Sequence, residues 1–299
     1  LDAMIHNLNY FRARLRPGVR LVAMVKAASY GAGDFEVAQM LQHQGVNYLA
    51  VAFADEGVLL RERGIRMPIV VLNADEGSFD LMVAHRLEPE IYNFRSLAFF
   101  SKAVERVGEE SYPIHIKLDT GMHRLGFMEG ELDMLTETLG ETPSVKVATI
   151  FSHLNCSDMP QEDRYTREQI ARFDRMSGRL AAALPYPVLR HTANSAAIER
   201  FPEAQFDMCR LGLGLYGFGF EHNDELKPVS TLKSRIVQLK HLSAGEAVGY
   251  GRAGKLTRDS VTATVPMGYA DGLDRHLGCG RWSMPVSYTH LTLPTSDLV

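Results

Sequence analysis

Lys26 closes the apolar run "VAMVK", and "AASYGAG" follows it, setting Tyr30 four residues on. Lysine is almost never fully buried without a partner. Its place at the end of a strand-like run therefore has two readings. Either the stem lies along the core edge with the ammonium in water, or the amine sits in a partly dry pocket, loses its proton readily and forms an imine with a carbonyl compound. Other residues of catalytic type end similar runs further on. "YPIHIKLDTGMHR" carries Lys117 and Asp119 at its close and Arg124 just beyond, and "VKVATIFSH" ends on His153. "HTANSAA" offers Asn194 and Ser195, and "FDMCRLGLGL" holds Arg210, Gly212 and Gly214. Each has an ordinary role open to it: Lys117 as ion-pair partner of Asp119, His153 as a hydrogen-bonded core histidine, Arg210 as a structural salt bridge. They become a site only if the fold brings them to one place.

The elements that would do so are legible. "LDAMIHNLNYFRARL" has Leu1, Met4, Ile5, Leu8 and Phe11 at helical spacing, with Asp2 as N-cap. Eight short runs rich in Val, Ile and Leu follow: "VRLVAMV", "VNYLAVAF", "PIVVLN", "LEPEIYN", "YPIHIKL", "VKVATIFS", "YPVLRHT" and "FDMCRLGLGL". Helical patterns separate them, as in "DFEVAQMLQHQG", where Asp34 caps and Gly45 stops the helix. Nearly continuous apolar runs suit a parallel sheet covered by helices. Eight βα units predict an α/β fold of the TIM type, a (β/α)8 barrel over residues 1–220. An open doubly wound sheet is the competitor, but no strand ends in a GxGxxG helix start. "EHNDELKPVS" reads as a linker. After it, "STLKSRIVQLKHL", "GEAVGYGR" and "VTATVPMGYADG" predict short strands with turn glycines, part of an all-β domain over 221–284.

Barrel sites gather at the C-terminal ends of the strands. There Lys26, Lys117, Arg124, His153 and Arg210 would share one rim with Asn194 and Ser195. Asn194 or Ser195 can cap a short helix whose free N–H groups favour an anion, and Gly212 and Gly214 would let backbone N–H groups approach the same ion. A plain helix cap beside glycines that ease packing is the alternative. An imine-forming lysine opposite a phosphate site points to pyridoxal 5'-phosphate, which carries an aldehyde and a phosphate and acts as an electron sink.

Composition narrows the partners. With 32 Lys and Arg against 36 Asp and Glu, and no basic block, nucleic acid is not an expected partner. No apolar run is long enough to cross a bilayer, and the start lacks a secretory pattern. Cys156, Cys209 and Cys279 are odd in number and form no CxxC pair, which fits a reducing cytoplasmic setting rather than a disulfide framework.

At this point the residues carry a resemblance. "VKAASYGAG", "IKLDTGMHRLGF", "FSHL", "HTANSAA", "RLGLGLYGF", "VGYGR" and "MGYADGL" stand in family order. The chain resembles the alanine racemase family, and within it the racemase half of bacterial proteins that fuse this enzyme to a cell-wall ligase. The resemblance implies racemisation of L-alanine to D-alanine for peptidoglycan. It implies Lys26 as cofactor-holding residue and base on one face of the substrate, and Tyr250, given by the partner subunit of a homodimer, as base on the other. It further implies Arg210 at the pyridine nitrogen and His153 beside the ring. Tyr30, Ser195, Gly212 and Leu213 become phosphate contacts, and Arg124 a contact to substrate carboxylate. Lys117 becomes a carbamylated lysine that holds Arg124, and Tyr269 a site-entrance residue.

After "GRWSM" the chain runs into "PVSYTHLTLPTSDLV", residues 285–299, which matches nothing expected of this domain and reads as foreign sequence. Three alternatives remain at this stage. One is a non-catalytic pyridoxal-phosphate barrel, and another an amino-acid decarboxylase using the same cofactor. The third is a metal-dependent hydrolase with ligands from His115, Lys117, Asp119, His153 and His191, although no HxH or HExxH pattern supports a metal.

Overall fold

All eight predicted runs contain a strand: β1 Arg20–Met24, β2 Tyr48–Val51, β3 Ile69–Val71, β4 Glu88–Ile91, β5 Tyr112–Lys117, β6 Val145–Phe151, β7 Leu189–His191 and β8 Met208–Leu211. This is a computed structural model, and residues 1–277 are described. Cys279 and residues 285–299 lie outside the described residues, as does the end of the predicted β-domain. The strands pair in parallel in the order β7-β6-β5-β4-β3-β2-β1-β8. The sheet's two ends meet through two backbone bonds, Asp207 N–H to Arg190 O at 3.0 Å and Arg210 N–H to Ala193 O at 2.9 Å. The result is the expected eight-stranded parallel barrel.

Eight helices accompany it: α1 Asp2–Arg12, α2 Phe35–His43, α3 Ala54–Glu62, α4 Phe79–Ala84, α5 Phe94–Arg106, α6 Leu132–Gly140, α7 Asp163–Ala183 and α8 Ser195–Arg200. Helices α2 to α8 follow β1 to β7 in turn. Asp34 caps α2 as predicted, accepting from Phe35 N–H. Asp2 lies instead in the first turn of α1, with Leu1 at the cap. Only a short 3-10 turn, Leu213–Tyr216, follows β8, and α1 packs on it to complete the helical ring. The fully buried Asn7 makes the join: its amide donates to Leu215 O and Lys227 O, and its Oδ1 accepts from Lys227 N–H. A Cβ at Gly214 would stand 2.3 Å from the Phe11 ring, so this glycine serves the packing of α1.

Alternation along the strands sends one set of side chains to the helices and the other inward. The inward set is divided. Val22, Met24, Ala50, Val70 and Met208 form an apolar cluster under β8, β1, β2 and β3. On the β4 to β8 side stand Glu88, Glu90, His115, Lys117, Thr149, His191 and Arg210. A barrel interior filled by branched aliphatics is a packed core. Half of this one is given over to polar residues, which must find partners.

The second compact unit begins at Thr231. Its described strands pair antiparallel: β9 Gln238–Leu242 with β12 Ser260–Thr264, and β10 Ala247–Val248 with β11 Gly254–Lys255. Residues 231–237, expected to be strand, are irregular. Of its described residues, Leu256 alone is buried. No helix among the described residues is long and apolar enough to cross a membrane.

Candidate active site

A cavity of about 580 Å³ opens at the C-terminal ends of the barrel strands. Lys26, half-buried, borders it one residue after Val25, where β1 has ended. The chain then takes a turn of the opposite hand to an ordinary helix: Ala27, Ala28, Ser29 and Tyr30 have φ of +53°, +50°, +53° and +55°. Each such L-residue costs about 1–2 kcal/mol. The turn is tied down at its ends. Glu56 accepts from Ala27 N–H and from the N–H groups of Ala52 and Phe53, while Ser29 is fully buried. This turn lays Tyr30 beside β8. Its ring is 4.7 Å from that of Tyr216, and its hydroxyl would be 3.4 Å from a Cβ at Gly212.

Across the cavity, Lys117 ends β5 with its Nζ 3.4 Å from Glu90 Oε1 of β4 and 4.3 Å from the centre of the Phe151 ring. Both partners are buried. Burial pushes the lysine down and the glutamic acid up, and their mutual attraction only partly opposes this. Asp119 does not pair with Lys117. It accepts from the N–H groups of Gly121 and His123 and contacts the His123 ring, shaping the loop that carries the exposed Arg124 to the cavity. Burial acts to raise Asp119, and these bonds outweigh it, so its carboxyl is held below the usual range.

The same loop returns at Gly126, φ +129°, where a Cβ would lie 2.6 Å from Asp119 N and 2.7 Å from the Leu118 carbonyl carbon. Gly126→Ala is therefore expected to lower stability by about 1–3 kcal/mol. Thermal unfolding checks this, and an unchanged Tm would contradict it.

Arg210 is the most enclosed of the cations. Its Nη2 donates to Ser152 O at 2.7 Å, Thr192 O at 3.0 Å and His153 Nδ1 at 3.2 Å, and its Nη1 to His191 Nδ1 at 2.9 Å. Burial lowers its pKa to about 10, against a raising contribution from Glu90. Burial, then Arg210 itself, hold His153 and His191 well below the ordinary histidine value, so both are neutral at pH 7. Ser195 Oγ accepts from Gly212 N–H at 2.9 Å and Gly214 N–H at 3.2 Å. Asn194 rather than Ser195 caps α8, accepting from Ala197 N–H at 3.0 Å and from the Ser157 hydroxyl at 2.9 Å. Leu213 borders the cavity beside Gly212.

Ten predicted site residues thus line one cavity: Lys26, Tyr30, Lys117, Arg124, His153, Asn194, Ser195, Arg210, Gly212 and Leu213. Tyr250 and Tyr269 belong to the second unit and are exposed within this chain. Tyr250 stands in a 3-10 turn, Tyr250–Arg252, and not in a strand. The histidines weighed as metal ligands are engaged otherwise. His115 bonds Glu88 and Thr149, and His191 bonds Thr149 and Arg210. Among the described residues, no group of three or more His, Cys, Asp and Glu stands close enough to hold a metal ion. Glu90 and Glu88 were not foreseen. The signal was available, since residues 88 and 90 of a strand face the same side as His115 and Lys117 of the next.

The family profile for the alanine racemase N-terminal domain matches residues 1–219, and that for the C-terminal domain matches 229–291. The chain belongs to the alanine racemase family. Alanine racemase 2 of Caldanaerobacter subterraneus subsp. tengcongensis is 36% identical over 289 residues, covering 93% of this chain and 72% of that one. The alanine racemase of Symbiobacterium thermophilum is 36% identical over 282 residues, with 93% and 74% covered. Among solved structures, alanine racemase from a D-cycloserine-producing Streptomyces lavendulae superposes with a TM-score of 0.86 at 30% identity, over 94% of this chain and 75% of the other. That from Bartonella henselae, described with covalently bound pyridoxal phosphate, gives 0.79 at 26%, over 92% and 76%. The alanine racemase barrel is therefore the scaffold that holds the ten residues together.

Proposed function

We propose that this chain is a pyridoxal-phosphate-dependent alanine racemase working by two bases, with Lys26 and Tyr250 as those bases. The observation that carries the reading is the content of the cavity. A lysine stands free on its rim, and, with the buried Lys117 and Glu90 set against each other, the lining holds Lys26, Arg124 and Arg210 against Asp158 alone. That excess of two positive charges fits a ligand bearing both phosphate and carboxylate. At Gly212 a Cβ would come into contact with the Tyr30 hydroxyl at 3.4 Å and with Met24, so the glycine keeps this wall of the cavity clear beside Tyr30. When bound, pyridoxal phosphate supplies an aldehyde for attachment and a ring that delocalises the electrons left by a departing α-proton.

The protein's part is to bind, orient and move protons. Racemisation takes a proton from one face of the substrate carbon and returns one to the other, so a base must stand on each side. Lys26 would hold the cofactor and would exchange a proton on its own face. Tyr250, given by the second subunit of a homodimer, serves the opposite face, and its exposure in the single chain accords with that. Tyr30, Ser195, Gly212 and Leu213 hold the phosphate, with Asn194 fixing the start of α8. His153 would flank the ring. Arg210 only donates hydrogen bonds, so it would leave a ring nitrogen set against it unprotonated and the sink weakened. Arg124 takes the substrate carboxylate, and Tyr269 stands at the entrance. Lys117, whose burial favours the neutral amine that carbon dioxide adds to, is the lysine assigned to the carbamate beside Arg124. The product would be D-alanine for peptidoglycan, made in the cytoplasm.

The test is to supply the purified protein with cofactor and L-alanine and to follow both D-alanine and carbon dioxide. D-alanine without carbon dioxide supports the reading. Cofactor binding without turnover would mark a carrier, and release of carbon dioxide a decarboxylase.

A further inference from the structure

Arg210 does not end at the histidine it touches. Four hydrogen bonds run in sequence across the polar half of the barrel: Arg210 Nη1 to His191 Nδ1 at 2.9 Å, His191 Nε2 to Thr149 Oγ1 at 3.0 Å, Thr149 Oγ1 to His115 Nδ1 at 2.8 Å and His115 Nε2 to Glu88 Oε2 at 2.8 Å. His115, Thr149, His191 and Arg210 are all buried, and Glu88, the first residue of β4, is the one link that reaches toward solvent. The two ends can each act in only one way. A guanidinium donates and a carboxylate accepts.

With the His115 ring taken as neutral, which is part of the proposal below, the position of every proton between them follows. His191 Nδ1 must accept from Arg210, so the neutral ring carries its hydrogen on Nε2 and donates it to Thr149. Thr149 receives that bond and has one hydrogen of its own, which goes to its other partner, His115 Nδ1. His115 then carries its hydrogen on Nε2 and donates to Glu88. Two histidines are thereby locked in the Nε2–H tautomer, each unable to turn without breaking bonds on both sides. Arg210 Nη1 is thereby held toward His191, whose carbonyl oxygen it also approaches at 3.5 Å. Nη2 gives its two hydrogens chiefly to Ser152 O and Thr192 O, and its longer contact to His153 Nδ1 at 3.2 Å can only share one of them.

We propose that Glu88 is a positioning residue for Arg210, acting through His115, Thr149 and His191 as the accepting terminus of a one-way hydrogen-bond chain. The inference rests on the racemase reading for its effect on turnover, but the proton arrangement stands apart from it. Removing the acceptor frees His115 to change tautomer and the Thr149 hydroxyl to reorient. His191 then loses the constraint that holds its Nδ1 toward Arg210. Direct partners on the far side of a metal ligand are worth about ten- to a hundredfold in activity, and the lower end is expected for this longer, metal-free chain.

The experiment has two arms. Long-range 1H–15N NMR of the histidine-labelled protein, without substrate, is expected to give His115 and His191 as neutral Nε2–H tautomers. In Glu88→Leu the His115 pattern should average between tautomers, and in Glu88→Gln, whose amide oxygen still accepts, it should persist. In kinetics on the holoenzyme, Glu88→Leu and Thr149→Val are each expected to lower kcat about tenfold with KM nearly unchanged. The double variant should be no worse than either single one, because both cut the same chain. Glu88→Gln should recover most of the loss. A doubly protonated His115, a His191 proton on Nδ1, or additive losses in the double variant would overturn the proposal. If Glu88→Leu does not fold, the wild-type tautomers and Thr149→Val still decide it. Absence of racemisation in the wild type would remove the racemase reading and leave the tautomer result standing.

Discussion

Lys26→Arg is expected to abolish turnover, lowering kcat by about three orders of magnitude or more. The substitution keeps the positive charge at the rim, so losses from altered electrostatics are small. It removes two abilities at once. A guanidinium does not lose its proton at working pH and cannot serve as a base, nor does it attach an aldehyde as an amine does. Borohydride reduction followed by peptide mapping should place the cofactor on Lys26 in the wild type and nowhere in the variant. A variant that kept more than a few percent of activity, or a label on Lys117 instead, would remove the central assignment. The fold should be untouched, because Lys26 makes no side-chain hydrogen bond among the described residues, and its nearest aromatic partner, Tyr30, is 6.0 Å away.

Tyr250→Phe should reduce kcat/KM by about 10²- to 10⁴-fold, the usual worth of one proton-transfer group. The loss must be equal in both directions, because enantiomers have the same free energy and the ratio of the two kcat/KM values is fixed at unity. What differs is exchange with solvent. The enantiomer whose α-proton faces Lys26 should still pick up deuterium from heavy water, while the other should not. Because Tyr250 is assigned to the partner's site, two inactive variants should rescue each other. A mixture of Lys26→Arg and Tyr250→Phe subunits forms sites with both bases intact and should recover about a quarter of wild-type activity if subunits exchange freely. A packed surface tyrosine would give none of these results, and activity within a few-fold of wild type would exclude the base role.

Much of the scaffold was legible because each strand run was short, apolar and bounded by a helix, so that counting to eight implied closure. The rim residues were legible for a related reason: once strand ends are known, Lys26, Lys117, His153 and Arg210 fall on the same side by position alone. The turn after Lys26 was not. "AASY" carries no glycine, and alanine favours the right-handed helix, so nothing local announces four residues at positive φ. Tertiary contacts, chiefly the Glu56 clamp, decide it. Glu88 and Glu90 are not legible from "LEPEIYN" alone, because their partners, His115 and Lys117, stand on the adjoining strand. In the second unit the strands were found, but the irregular stretch before Gln238 was overread.

The join made by Asn7 bears on how the protein is born. Its amide reaches a carbonyl 220 positions further along the chain, so this helix, α1, has no seat until the last barrel strand has emerged from the ribosome. At about 5–20 residues per second that is a wait of about 10 to 40 seconds. Through this interval Leu8 and Phe11, fully enclosed in the finished barrel, stay uncovered on the nascent polypeptide, where a chaperone would find them.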